Sequence, residues 1–189
     1  MFKKAGVLLL VFTLVIGFSG GNILAQDPIK IGSVSPLTGT FAGLGNDTVD
    51  GIKMALEEVD YEVEGREIEF YSEDTAGEAG QLLTKLDALQ TRDEVDVILG
   101  PVLGNTGMAT VDWATDTDMP IVVTYSAPED ITMRKARDNI VRAGWTGAQV
   151  MFDFGEYAAN ELGYESVVII GQDYSFPHNQ AGGFMKGFY

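Results

Sequence analysis

The sequence predicts an α/β fold, a parallel sheet flanked by helices. Three observations carry that prediction. Strand-like and helix-like segments take turns along the chain, the connections between them are short, and the runs at 95–99, 120–124 and 166–170 are almost continuously apolar, as strands covered on both faces are.

The elements follow in order. Residues 1–25 come before the fold: Lys3 and Lys4 precede an uncharged, largely apolar stretch from Ala5 to Phe18, and a small and polar run leads to Ala25. This is the pattern of a secretory signal peptide cleaved after Ala25. Its apolar core is short of the roughly 20 residues that span a bilayer. The run 29–35 is a strand ended by Pro36, and residues 45–60 set Val49, Ile52, Leu56 and Val59 at helical spacing. Residues 66–74 alternate polar and apolar, as a less buried strand does. A helix over 78–90 lines Ala79, Leu82, Leu83, Leu86 and Leu89 on one stripe. A short strand at 95–99 is halted by Gly100-Pro101, a helix covers 105–115, a buried strand 120–126 and a short fifth strand 139–142. A second unit then begins. Residues 146–162 read as a helix with Val150, Phe154, Ala158 and Leu162 four apart, residues 166–173 as a strand, and Gln180 onward as another helix.

Composition excludes several functions. With 12 Lys+Arg against 28 Asp+Glu, the formal net charge is −16, which argues against nucleic acid as a partner. The absence of Cys removes disulfides, thiolate metal sites, a Cys nucleophile and a lipid-bearing N-terminal Cys. The single His, His178, rules out a multi-His metal centre and leaves one candidate base for a Ser-His-Asp triad. Paired acids such as Glu57-Glu58, or Asp116 with Asp118, suit a solvated face better than a catalytic dyad.

Parallel sheets bind ligands beyond the carboxyl ends of their strands, at the point where strand order reverses. The loops to search are therefore 35–46, 100–107, 124–129 and 172–179. In the first, Gly43-x-Gly45 is followed by Thr48, which breaks the dinucleotide fingerprint, and no Walker loop is present. The second, Gly100 to Gly107, runs straight into a helix whose free N–H groups and positive dipole end would attract an anion such as a ligand carboxylate. Spacing alone favours the other reading, that Asn105 or Thr106 caps that helix with no ligand. The third, Thr124-Tyr125-Ser126, brings a hydroxyl and free backbone groups to the same rim.

Five segments in order, IKIGSVSPLTGTFAGLG, VDVILGPVLGNTG, PIVVTYSAPEDIT, NIVRAGW and VVIIGQDYSFPHNQAGGF, resemble the periplasmic type I solute-binding proteins, specifically the branched-chain amino-acid (Leu/Ile/Val-type) receptors of ABC importers. The resemblance covers residues 29–189. It implies a periplasmic-binding-protein type I fold, two α/β lobes with the ligand between them: a complete first lobe at 26–143 and the start of a second at 144–189, the chain being an N-terminal fragment. It further implies that Gly104, Asn105 and Thr106 hold a ligand carboxylate and that Ser126 supplies a second hydroxyl. In the same way Thr124 offers a carbonyl to an ammonium beside Tyr125, Leu44 makes an apolar contact, and Tyr174 and Phe176 close over the ligand from the second lobe. Gly104 stands where many relatives carry Ser or Thr, and Pro177 replaces the usual Gly.

The expected function is that of a non-enzymatic extracytoplasmic binding protein in the periplasm, taking a small amino acid or related carboxylate and delivering it to ABC permease membrane subunits. No cofactor, metal or nucleic acid is expected. Two alternatives stand beside it: a ligand-sensing receptor domain of the same fold (amide/urea or aromatic-acid type), and an exported hydrolase using His178, for which no nucleophile elbow is in evidence.

Overall fold

The computed structural model describes residues 26–189, so the expected signal peptide lies outside the described residues. β1 (Ile29–Ser35), β3 (Arg66–Asp74), β4 (Val97–Leu99), β5 (Ile121–Val123) and β6 (Ile140–Arg142) form a parallel sheet. A two-residue strand, β2 (Glu62–Val63), joins β3 antiparallel, and the full order is β2-β3-β1-β4-β5-β6. The order reverses between β1 and β4. The connections that leave their carboxyl ends therefore diverge and open a crevice.

Helices α1 (Ala42–Glu57), α2 (Ala79–Thr91) and α3 (Gly104–Trp113) connect these strands. The expected α2 stripe is real: Leu82, Leu86 and Leu89 are fully buried, against Val34, Ile98, Ile121, Val123 and Val111. Leu83, on the edge of that stripe, stays partly in solvent. α1 starts at Ala42, three residues earlier than the periodicity predicts, so Gly43, Leu44 and Gly45 are helical and no phosphate-type turn exists there. α3 likewise begins at Gly104 and ends at Trp113, with one 3-10 turn (Ala114–Asp116) after it.

The segment after residue 143 departs from expectation. α4 (Gln149–Asn160) and α5 (Ser175–Phe188) pack tightly on each other. α5 begins five residues before Gln180. Residues 166–173, predicted as a strand, are not one. A strand exists through ladder hydrogen bonds to a neighbour, and among the described residues none lies alongside; Val168 and Ile170 are 89% and 94% exposed. The predicted α4 stripe is also mostly open: Val150, Phe154 and Leu162 remain exposed, whereas Gly155 and Ala158 face α5. Phe154, Leu162 and residues 167–172 border an apolar hollow of about 620 Å³.

Candidate ligand-binding cleft

A smaller cavity, about 160 Å³, sits where the strand order reverses, at the carboxyl ends of β1 and β4. Phe41 and Leu44 come from the start of α1, Val102, Leu103 and Gly104 from the β4–α3 connection, and Tyr125 and Ala127 from the loop after β5. Tyr174 and Phe176 reach it from the other side, at the N-terminal end of α5. The 620 Å³ hollow is larger but lies under the unpaired 166–172 segment; the cleft is the feature that the strand topology itself creates.

Five of the sequence-predicted residues line this cavity: Leu44, Gly104, Tyr125, Tyr174 and Phe176. Gly104 opens α3. Leu103 precedes it with no side-chain cap, so the amides of Gly104, Asn105 and Thr106 have no partner among the described residues. Gly104 borders the cavity, so the positive end of α3 lies at its wall. A Cβ on Gly104 would sit 2.9 Å from the Ser175 hydroxyl oxygen and 3.3 Å from Phe176 Cβ, so a side chain here would crowd the start of α5. The Ser175 hydroxyl is itself buried without a partner, beside those free amides.

The predicted hydroxyls have other employment. Thr106 Oγ1 donates to the Leu103 carbonyl at 2.9 Å, and Ser126 Oγ donates to the same carbonyl at 2.8 Å. Both residues are buried, and neither lines the cavity. Asn105 Nδ2 donates to the Gly77 carbonyl at 3.0 Å. Thr124 also lies outside the lining, with its own hydroxyl buried and unpaired. In this arrangement the unpartnered backbone amides that begin at Gly104 remain as donors, while Thr106 and Ser126 brace the loop that carries them.

Residues to which the resemblance assigns no ligand contact tie the cleft together. Trp145 lies on the chain between the sheet and α4, edge-on to Tyr125 (5.7 Å between centroids) and tilted against Phe176 (6.1 Å). Phe176 in turn lies 6.5 Å from Tyr174. Arg142 donates to the carbonyls of Ser126 and Pro128, the latter at 2.6 Å, which locks the β5 loop against this connection. Burial pushes the Arg142 guanidinium below its usual range, with the Glu129 carboxylate acting in the opposite sense. Glu129 N–H donates to Asn179 Oδ1 at 2.6 Å and Gly147 N–H to the Ala127 carbonyl at 2.8 Å, two further links across the cleft base.

Among the described residues nothing resembles a catalytic centre. His178 is exposed and pairs with exposed Asp173 at 3.0 Å. Glu57, Glu58, Asp116 and Asp118 lie on the surface and form no buried dyad. Among the described residues no group of His, Asp and Glu could hold a metal.

A family model described as periplasmic binding protein matches residues 28–188. Among solved structures, a solute-binding protein of an ABC transporter from Rhodopseudomonas palustris in complex with 3,4-dihydroxybenzoic acid is 27% identical, with a TM-score of 0.79 over 86% of this chain and 44% of that one. A second R. palustris solute-binding protein, in complex with 4-hydroxybenzoate, is 26% identical, with a TM-score of 0.77 over 86% and 44%. A leucine-binding protein from Thermotoga maritima is 25% identical, with a TM-score of 0.75 over 85% and 45%. The chain thus spans less than half the length of these relatives. Comparison with curated proteins gave no match.

Proposed function

The chain belongs to the periplasmic binding protein family, and from that premise we propose that it works as the extracytoplasmic solute-binding protein of an ABC importer. It holds a small carboxylate between two lobes, releases it chemically unchanged, and passes it to permease subunits in the membrane. Residues 26–143 form the first lobe and residues 144–189 the beginning of the second. Export to the periplasm through the 1–25 signal peptide belongs to the same proposal.

The observation that carries this reading is the cleft itself: an apolar, aromatic-walled cavity at the strand reversal, with Gly104, the first residue of the uncapped α3, in its wall and the free amides of Asn105 and Thr106 following it in the first turn. A carboxylate placed there meets several donors at a helix N-terminus away from water, while its body contacts Leu44, Tyr125 and Phe176. The ligand is an amino acid of the branched-chain kind or an aryl carboxylate; both chemistries occur among the similar structures. Titration calorimetry on the protein with its full second lobe, against leucine, isoleucine, 4-hydroxybenzoate and the carboxylate-free analogue phenol, tests this. At least one carboxylate should bind and phenol should not. Equal binding of phenol, or no binding by any carboxylate, contradicts it.

A further inference from the structure

The turn from Asp74 to Gly77 stands behind both walls of the first-lobe half of the cleft. β1 and β3 run in register to their ends, so Ser35 lies beside Asp74, and the Thr75 N–H donates to the Ser35 carbonyl at 3.0 Å. This register puts the Asp74 carboxylate under the loop that leaves β1. It accepts four hydrogen bonds: from Leu37 N–H at 2.8 Å, Thr38 N–H at 3.3 Å, the Thr38 hydroxyl at 2.6 Å and Ala76 N–H at 2.8 Å. Leu37 and Thr38 belong to the stretch that leads directly into Phe41 and Leu44.

Three residues further, Gly77 meets the opposite wall. It adopts φ +81°, a conformation for which Gly is suited, and its carbonyl accepts the Asn105 side-chain amide at the start of α3. A Cβ at this position would lie 3.0 Å from Leu103 Cδ1 and 3.7 Å from Phe41 Cδ2, so the bare backbone fits between a side chain from each wall. One short turn therefore touches both sides of the strand reversal.

We infer that Asp74 is a positioning residue of the cleft: its carboxylate fixes the β1–α1 loop, and the turn that it opens fixes the start of α3, so that Phe41, Leu103 and the free α3 amides keep their mutual placement. The inference rests on the reading of this cleft as the ligand site. Asp74 touches no ligand in this scheme; it acts through Thr38, Ala76 and Gly77. Charge-assisted bonds of this kind are stronger than neutral ones, which is why a carboxylate suits the task.

The test compares wild type with Asp74→Ala and Thr38→Val in the protein carrying its full second lobe, using leucine and 4-hydroxybenzoate as probes. In Asp74→Ala, amide exchange at Leu37, Thr38 and Ala76 should accelerate about tenfold or more while the Ile98 and Ile121 amides hold their protection. The NMR signals of the Leu103 methyls and the Asn105 side-chain amide should move, and affinity for the bound probe should fall about tenfold. Thr38→Val, which removes one bond of the four, should shift the same signals less and keeps the inference falsifiable if Asp74→Ala fails to fold. Unmoved Leu103 and Asn105 signals, or unchanged affinity in a protein that binds a probe, overturns the inference. If wild type binds neither probe, it is the proposed ligand class that fails, and the exchange and NMR results still decide the role of Asp74.

Discussion

The run Val97–Leu99 and the run Val167–Ile170 are alike in composition and opposite in fate. The first is β4, with Ile98 fully buried between β1 and β5. The second lies open, with Val168 and Ile170 almost fully exposed and no ladder. β-propensity describes fit to a pleated, half-buried surface and needs a neighbour to act. The neighbour, not the residue type, makes the strand. The same contrast runs through the cleft: one half rests on a closed sheet and core, while the other half, Tyr174 and Phe176, sits at the start of α5, tied to the sheet unit by the Trp145 contact and the Glu129–Asn179 bond.

That contrast can be broken or sharpened by experiment. The largest effect belongs to the closed core. In the 189-residue chain, Leu86→Ala should cost about 2–5 kcal/mol in urea denaturation, whereas Ile170→Ala should stay within about 0.5 kcal/mol. Equal losses would mean that residues 166–173 are packed after all. Next comes the aromatic seam. Phe176→Ala removes a cavity wall and the Trp145 contact, and should weaken ligand binding by about 1–3 kcal/mol in calorimetry with little change in the denaturation of the first lobe. Ser126→Ala should cost about 1 kcal/mol of affinity, because the Leu103 carbonyl would keep only the Thr106 hydroxyl. Unchanged affinity would mean that Ser126 does not brace the loop that leads into α3.

The smallest effect is one of pH, and it belongs to the sheet unit. Burial pushes the Glu73 carboxyl up, but bonds from Lys85 and Arg92 outweigh it and hold the group below the usual carboxylate range. Asp74 behaves likewise: burial raises it, and the bonds from Thr38, Ala76 and Leu37 bring it down. A carboxyl lowered in the folded state stabilises the fold above its unfolded pKa, and that contribution is lost as pH falls through the folded value. Stability should therefore hold at neutral pH and decline below about pH 4, read as a falling urea midpoint. Replacing Glu73 with Gln should flatten that decline, and an unaltered slope would exclude Glu73 as a contributor.

Much of the sheet unit is legible in the sequence because its signals are local. β1 and β3 have the bounds that alternation and Pro36 predict, and α2 buries three of the four leucines of its stripe. The hairpin β2–β3 carries a local signal as well, one that the strand pattern alone does not expose: Glu64-Gly65 are two adjacent residues with positive φ, as a tight hairpin turn demands. The loop after β5 places Tyr125 at the cleft, whereas Tyr174 and Phe176 are placed there only by the resemblance, because the strand expected before them is not formed. The employment of Thr106 and Ser126 cannot be read from sequence, since both hydroxyls end on a carbonyl whose position only the folded loops define. Asp74 gives a faint signal, an acid at a strand end before Thr-Ala-Gly, but its four donors come partly from a loop 36 residues or more away in sequence.

The central claim is that the start of α3 receives the carboxylate of the ligand. Amide NMR of the protein with its full second lobe, titrated with leucine and 4-hydroxybenzoate, tests it most directly. The Gly104, Asn105 and Thr106 signals should shift together and saturate at the calorimetric affinity. Saturable binding that leaves those three amides unmoved, or that moves residues 166–172 instead, would contradict it.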